Sequence, residues 1–174
     1  IREHIEPVQH QDKGEAIVDL LRREREKGPF LVFNYLKPWT QSRAETVAQT
    51  RLFADLSGRD FHRELRNKID GEMTDTLRDL ARMMSRGVAF HHADLPNDVK
   101  HWIEDLYADG ELGCLFATTT IAYGFDAPVQ SVVVADVTRG PNYVGVYEYV
   151  QWIGRAARPG YGYDEGHAFT LTDS

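Results

Sequence analysis

Gln151, Arg155 and Arg158 are spaced i, i+4 and i+7, so on a helix continuing through Val150 they share one face. That face lies opposite the apolar stripe containing Val146 and Ile153. Two guanidinium groups pointing the same way suit a polyphosphate. Each planar fork donates two hydrogen bonds to oxygens and stays charged at any relevant pH. An arginine beside a transferring phosphoryl group stabilises the charge of the transition state. A solvated basic helix end, favoured by the helix dipole, explains the spacing equally well. Chemistry alone leaves both readings standing.

A second loaded segment, ATTTIAYGFDAP from Ala117 to Pro128, directly follows a short apolar run. The hydroxyls of Thr118, Thr119 and Thr120 suit a helix cap that presents backbone amides to an anion. Gly124 permits a turn closed to other residues, and Asp126 is suited to accept hydrogen bonds from a sugar hydroxyl. An ordinary capped helix and turn is the alternative, and spacing does not choose between them.

The elements that must hold these segments follow from hydropathy. Short apolar runs at Phe30–Asn34, Val88–His91, Cys114–Ala117, Ser131–Ala135 and His167–Leu171 alternate with helical patterns, which predicts a parallel α/β sheet. Several runs are apolar throughout, as strands covered on both faces should be. Val99, Trp102, Ile103, Leu106 and Tyr107 form a helical stripe stopped by Gly110. Met73, Leu77, Leu80, Ala81 and Met84 form a second, ending near Gly87, and Val146, Tyr149, Val150 and Ile153 a third. The stretch from Tyr35 to Gly87 is too long for one crossover helix and is read as two, with a bend around Ser57–Asp60. Residues 1–13 are read as a linker or an incoming strand, and 14–174 as one doubly wound domain. In such sheets ligands gather in the loops beyond the carboxyl ends of the strands, where Ala117–Pro128 falls.

Bulk properties narrow the classes. The chain has 174 residues, 42% hydrophobic and 27% charged, ordinary values for a soluble globular domain. No run approaches the ~18 apolar residues of a membrane span, and IREHIEPVQH lacks a signal-peptide layout. With the single cysteine, Cys114, no internal disulfide can form, so a cytoplasmic (or, in a eukaryote, nuclear) setting is expected. A net charge of −7 argues against a free-standing, non-specific nucleic-acid binder, although local contacts by amides, hydroxyls and a few arginines remain open.

Other residues have plainer readings. His91 and His92 are strand neighbours pointing to opposite faces, which disfavours one shared metal ion, and no metal site is expected. Cys114 heads a buried strand and reads as core. Trp102 belongs to a core stripe, whereas for Trp39 and Trp152 a core or interface position is preferred over base stacking. Arg22–Lys27 reads as a solvated helix face.

Taken together, the two loaded segments resemble motifs V and VI of superfamily-two helicases. Motif VI, roughly Gln-x-x-Gly-Arg-x-x-Arg, is matched by Gln151, Gly154, Arg155 and Arg158. GVAFHHADL, Gly87 to Leu95, resembles the Gly-Val-Ala-Phe-His-His-Ala-Gly-Leu element of the branch with the archaeal Hel-type repair helicases, the Ski-type exosome helicases and a spliceosomal relative. FLVFN, Phe30 to Asn34, is similar to motif IV. The resemblance spans about Phe30 to Thr172 and implies the second, C-terminal RecA-like lobe, of P-loop NTPase type, of a helicase or translocase. It implies that Arg155 and Arg158 reach the terminal phosphate of ATP held with Mg mainly by a first RecA-like lobe of the same parent chain. Arg158 is then the arginine finger, and Gln151 seats the nucleotide or couples the lobes. Thr118, Thr119 and Gly124 would contact the backbone of a single-stranded nucleic acid, with Asp126 at the ribose or lobe interface. His91, His92 and Asn34 would lie beside the strand. The likeness of Gly87–Leu95 to the archaeal branch leans towards DNA over RNA.

The chain departs from that pattern at Ala157, usually Gly; at Thr119 and Tyr123, usually Pro and Ala; at Asp126, commonly Asn; and at Asp94, usually Gly. These departures bear on the branch rather than the class. No Gly-x-x-x-x-Gly-Lys-Ser/Thr loop and no Asp-Glu-x-His/Asp box occurs, so this chain alone is not expected to hydrolyse ATP. The alternative is a catalytically degenerate RecA-like module that binds protein or nucleic acid. A self-contained enzyme finds no nucleophile–base pair or paired carboxylates to support it.

Overall fold

The computed structural model describes residues 1–8, 12–54, 59–118, 121, 129–139, 142–143, 154 and 165–173. Chain order is β1 (Arg2–Val8), α1 (Lys13–Arg23), a 3-10 turn (Arg25–Lys27), β2 (Phe30–Asn34), α2 (Lys37–Gln49), α3 (Phe61–Lys68), α4 (Asp75–Met84), β3 (Val88–His91), α5 (Asn97–Ala108), β4 (Cys114–Thr118), β5 (Ser131–Val134), β6 (Thr138–Arg139), β7 (Asn142–Tyr143) and β8 (His167–Asp173). Six strands form one sheet in the order β1-β8-β5-β2-β4-β3, each neighbouring pair parallel, while β6 and β7 pair antiparallel.

The predicted parallel sheet is present. β2, β3, β4 and β5 are buried along their whole lengths, which explains their largely apolar sequences. β4 runs one residue further than the apolar run suggests, to Thr118, and β8 continues to Asp173. Arg2–Val8 is the edge strand β1, in register with β8 from Arg2 opposite His167 to Val8 opposite Asp173.

Each helix starts where its local chemistry permits. Asp12 caps α1 by accepting from the Gly14 amide at 2.8 Å, and the helix buries Ile17, Leu20 and Leu21. Asp60 and Thr74 cap α3 and α4 through the amides of Arg63 and Leu77. The expectation of two helices between Tyr35 and Gly87 needs correction, because there are three: α2, α3 and α4. The extra break falls after Lys68, where Ile69 turns extended and Thr74 begins a new capped helix.

α5 carries the predicted stripe, with Val99, Trp102, Ile103, Leu106 and Tyr107 all buried. It ends in a double lock: the Glu111 amide donates to the Leu106 carbonyl, and the Gly110 amide to that of Tyr107. Gly110 has φ +79° and Gly87 φ +78°, both left-handed, but their surroundings differ. A Cβ on Gly110 would meet nothing within 4 Å, whereas one on Gly87 would stand 2.2 Å from the Phe53 carbonyl oxygen. Gly110→Ala is therefore expected to cost about 1 kcal/mol through backbone strain alone. Gly87→Ala should cost at least about 2 kcal/mol, since strain and a backbone clash add. Urea unfolding of the two variants side by side checks the ordering, and equal losses would contradict it.

Right-handed crossovers place α1 and the α2–α4 connection on one face of the sheet and α5 on the other. α1 packs on α2, α2 covers β3 and β4, and α3 reaches α5, where Phe61 meets Trp102 edge-on at 6.1 Å. β2 sends its chain towards β3, whereas β4 and β5, its two neighbours, send theirs the opposite way. In open parallel sheets a reversal of strand order of this kind marks the usual ligand position, which here falls at the carboxyl ends of β2, β4 and β5. That edge is where a ligand belongs.

Candidate functional site

Four strand ends meet at this edge. Asn34 closes β2 and lies in register with Thr118, which closes β4, while His91 at the end of β3 is opposite Ala117. Three of the sequence's candidate groups are thus brought together by parallel register alone. Thr118 is buried here. Gln151, Arg155, Arg158, Thr119, Gly124 and Asp126 lie outside the described residues, as do Trp152 and the stripe from Val146 to Ile153.

Asn34 is only 1% exposed, and both ends of its amide are engaged. Its Nδ2 donates to the Val32 carbonyl at 3.1 Å, and its Oδ1 accepts from Arg43 Nη1 at 2.9 Å. The same Arg43 nitrogen donates to Asp136 Oδ2 at 2.8 Å. Asp136 also accepts the Tyr35 amide at 3.1 Å and Lys13 Nζ at 3.3 Å. One buried carboxylate therefore ties together the start of α1, the middle of α2 and the ends of β2 and β5. Such charges survive burial only because each is paired and hydrogen-bonded. Sequence reasoning missed Arg43, Asp136 and Lys13; the available signal was an aspartate immediately beyond the all-apolar run of β5.

The two histidines part to opposite faces, as the strand geometry predicts. His92 stacks on Phe90, with ring centroids 5.6 Å apart, and faces α2. Its Nδ1 accepts from the Asp94 amide, which leaves Nε2 protonated and donating to Gln41 Oε1, both at 3.2 Å. Burial lowers its pKa and favours this neutral form. Asp94, which replaces a glycine of the resembled element, is exposed and accepts from Lys37 Nζ at 2.9 Å, so the substitution is accommodated by a partner on α2. That cation and hydrogen bond hold its carboxyl below the usual range.

His91 faces α5, and it is 6% exposed. Neither ring nitrogen has a hydrogen-bond partner, and Glu104 Oε2 stands 3.7 Å from Nε2, too far to serve as one. Burial, reinforced by Lys100, His92 and His101, lowers its pKa from 6.5 to about 4, while burial raises that of Glu104. The folded ring holds its proton less tightly than a free imidazole does. Stability is therefore complete above pH 6.5 and is lost as pH falls from 6.5 towards 4. The window carries about 2–3 kcal/mol. Thermal unfolding against pH should show this decline, and His91→Gln should flatten it; an unchanged slope would rule His91 out as its source.

Cys114 is fully buried at the head of β4, and burial raises its pKa, consistent with a core residue. Trp102 sits in the core. Trp39 does not: it is 40% exposed, at the start of α2. Among the described residues, no group of three or more His, Cys, Asp or Glu side chains is placed to hold a metal ion, and no helix is long and apolar enough to cross a membrane.

Residues 66–160 match the model of the helicase conserved C-terminal domain. That match covers more than half of the chain and takes in β3, β4 and both polar segments singled out in the sequence.

The chain belongs to the helicase conserved C-terminal domain family.

Its six parallel strands with helices on both faces are the RecA-like α/β lobe expected of a superfamily-two helicase. The chain is similar to the ATP-dependent DNA helicase Hel308 of Thermoplasma acidophilum, 35% identical over 154 residues, covering 85% of this chain and 21% of that protein. It is also similar to Hel308 of Pyrobaculum calidifontis, 36% identical over 139 residues, with 76% and 20% covered. Hel308 of Methanocella arvoryzae is 34% identical over 142 residues, with 77% and 19% covered. The chain thus spans about a fifth of the length of these curated relatives. The likeness to the Hel-type relatives is direct.

Proposed function

We propose that this helicase C-terminal domain is the second motor lobe of an ATP-dependent DNA helicase or translocase. One observation carries the reading: register alone brings the ends of β2 and β4 together at a topological switch point, and β4 leads straight into the Ala117–Pro128 segment. The similarity to ATP-dependent DNA helicases supports DNA as the nucleic acid. On this reading ATP and its Mg are held mainly by a first lobe that supplies the phosphate loop absent here. Arg155 and Arg158 reach across to the terminal phosphate, Arg158 as the finger, and Gln151 seats the nucleotide. Thr118, Thr119 and Gly124 hold the backbone of a single strand, and Asp126 faces the ribose or the other lobe. Asn34, His91 and His92 act by positioning, since their side chains are buried and those of Asn34 and His92 are hydrogen-bonded within the lobe. Asn34 orients Arg43, and His92 joins the β3–α5 loop to α2.

Motor action on this reading comes from closure of the two lobes around nucleotide and reopening after hydrolysis. The deciding experiment is ATP hydrolysis by the intact parent protein with and without single-stranded DNA. Turnover stimulated by the strand is expected. A parent that binds strand without any turnover would instead be a binding module.

A further inference from the structure

Four large apolar side chains are exposed among the described residues: Ile1 just before edge strand β1, Ile5 within it, and Leu36 and Trp39 at the entry to α2. Only the second pair adjoins the candidate site. Leu36 is 50% exposed and lies two residues beyond Asn34, the last residue of β2. Trp39 and Arg43 are one helical turn apart, and the Arg43 guanidinium carbon lies 4.8 Å from the centroid of the Trp39 ring. That guanidinium is itself held by Asn34 and Asp136 at the strand ends.

A cation fixed in a buried network thus covers one face of an exposed indole. The ring is oriented before any ligand arrives, so little side-chain freedom remains to be lost on binding. With one face occupied by Arg43, a planar ligand must use the other. An aromatic side chain offers about 150–250 Å², so 40% exposure leaves roughly 100 Å² of Trp39 open. A specific protein interface needs about 800 Å² per partner, which Trp39 and Leu36 together do not approach. A single nucleobase is a planar group of matching scale. Stacking on an aromatic ring is also indifferent to base identity, as tracking along a strand requires.

We propose that Trp39, backed by Arg43 and flanked by Leu36, is a stacking platform for one base of a single strand passing the carboxyl edge of the sheet. The proposal rests on the motor-lobe reading above and deepens it. The backbone is held by the segment beyond β4, while one base turns onto the indole at the entry to α2.

The test uses the intact parent protein and two probes, a short oligothymidylate and an abasic strand of equal length. Wild type should bind the oligothymidylate more tightly. Trp39→Ala should weaken oligothymidylate binding by about tenfold, down to the abasic level, with little change for the abasic strand. Trp39→Phe, which keeps an aromatic face, should recover much of the loss. Equal weakening for both strands, or none for either, overturns the platform. Unchanged binding with reduced ATP turnover at saturating strand also overturns it and assigns Trp39 to contact with the first lobe. Failure of wild type to bind either strand would overturn the motor-lobe reading as well, so the two failures are distinguishable.

Discussion

Arg158→Ala in the intact parent is expected to reduce strand-stimulated ATP turnover by about a thousandfold or more, while single-strand binding changes little. A guanidinium that meets the terminal phosphate only as the lobes close acts on the charge that develops during phosphoryl transfer, and such arginines contribute about 10³–10⁵ in rate. Ground-state binding of nucleic acid depends on other groups, so it should survive. Arg155 is three positions earlier in the sequence and also cationic, but Arg155→Ala should cost less if it only holds the nucleotide. Steady-state turnover and strand binding measured on the same preparations separate the two roles. Wild-type turnover by the Arg158→Ala protein would rule Arg158 out as the finger.

Asp136→Ala is expected to destabilise the fold by about 3–5 kcal/mol, because it leaves the buried guanidinium of Arg43 without its carboxylate. The Tyr35 amide and Lys13 lose an acceptor at the same time. Asp136→Asn should fall in between, since an amide oxygen can still accept from Tyr35 while the charge is lost. Arg43→Met should cost less than Asp136→Ala, because Lys13 and Tyr35 remain to hold the carboxylate. Urea unfolding of the three variants checks this order. A loss below about 1 kcal/mol for Asp136→Ala would mean that Arg43 finds another acceptor and that the network is peripheral. The consequence for function is specific: with Arg43 released, the Trp39 ring loses the cation that orients it.

Much of the frame was legible along the chain. The limits of β2 and β3 coincide with the short runs read from the sequence, because strands buried on both faces are apolar along most of their length and carry a polar residue only at their carboxyl ends. α5 was equally plain, since a stripe of five large side chains and a glycine stop leave little else possible. The third helix between β2 and β3 was not. α3 has only Phe61 and Leu65 buried, too short a stripe for periodicity to separate it from its neighbours.

At the site, local reading and tertiary structure divided the work along a physical line. Periodicity and spacing report which face of one element is apolar and which residue types share the other, so the sheet, its helices and the two polar segments could be read from neighbours a few positions apart. Pairing between distant residues leaves no such trace. Arg43 and Asp136 are 93 positions apart; the place of Asp136 after an apolar run is the one local hint, and nothing local distinguishes Arg43 from a solvated arginine or names the two as partners. The sheet makes them partners: β2 and β5 become adjacent through the crossover order, and burial makes an unpaired charge too costly to keep. The same holds for Trp39, which by its type reads as a core or interface residue. Its half-exposed place above Arg43 depends on how α2 leaves β2, and only the folded arrangement decides that.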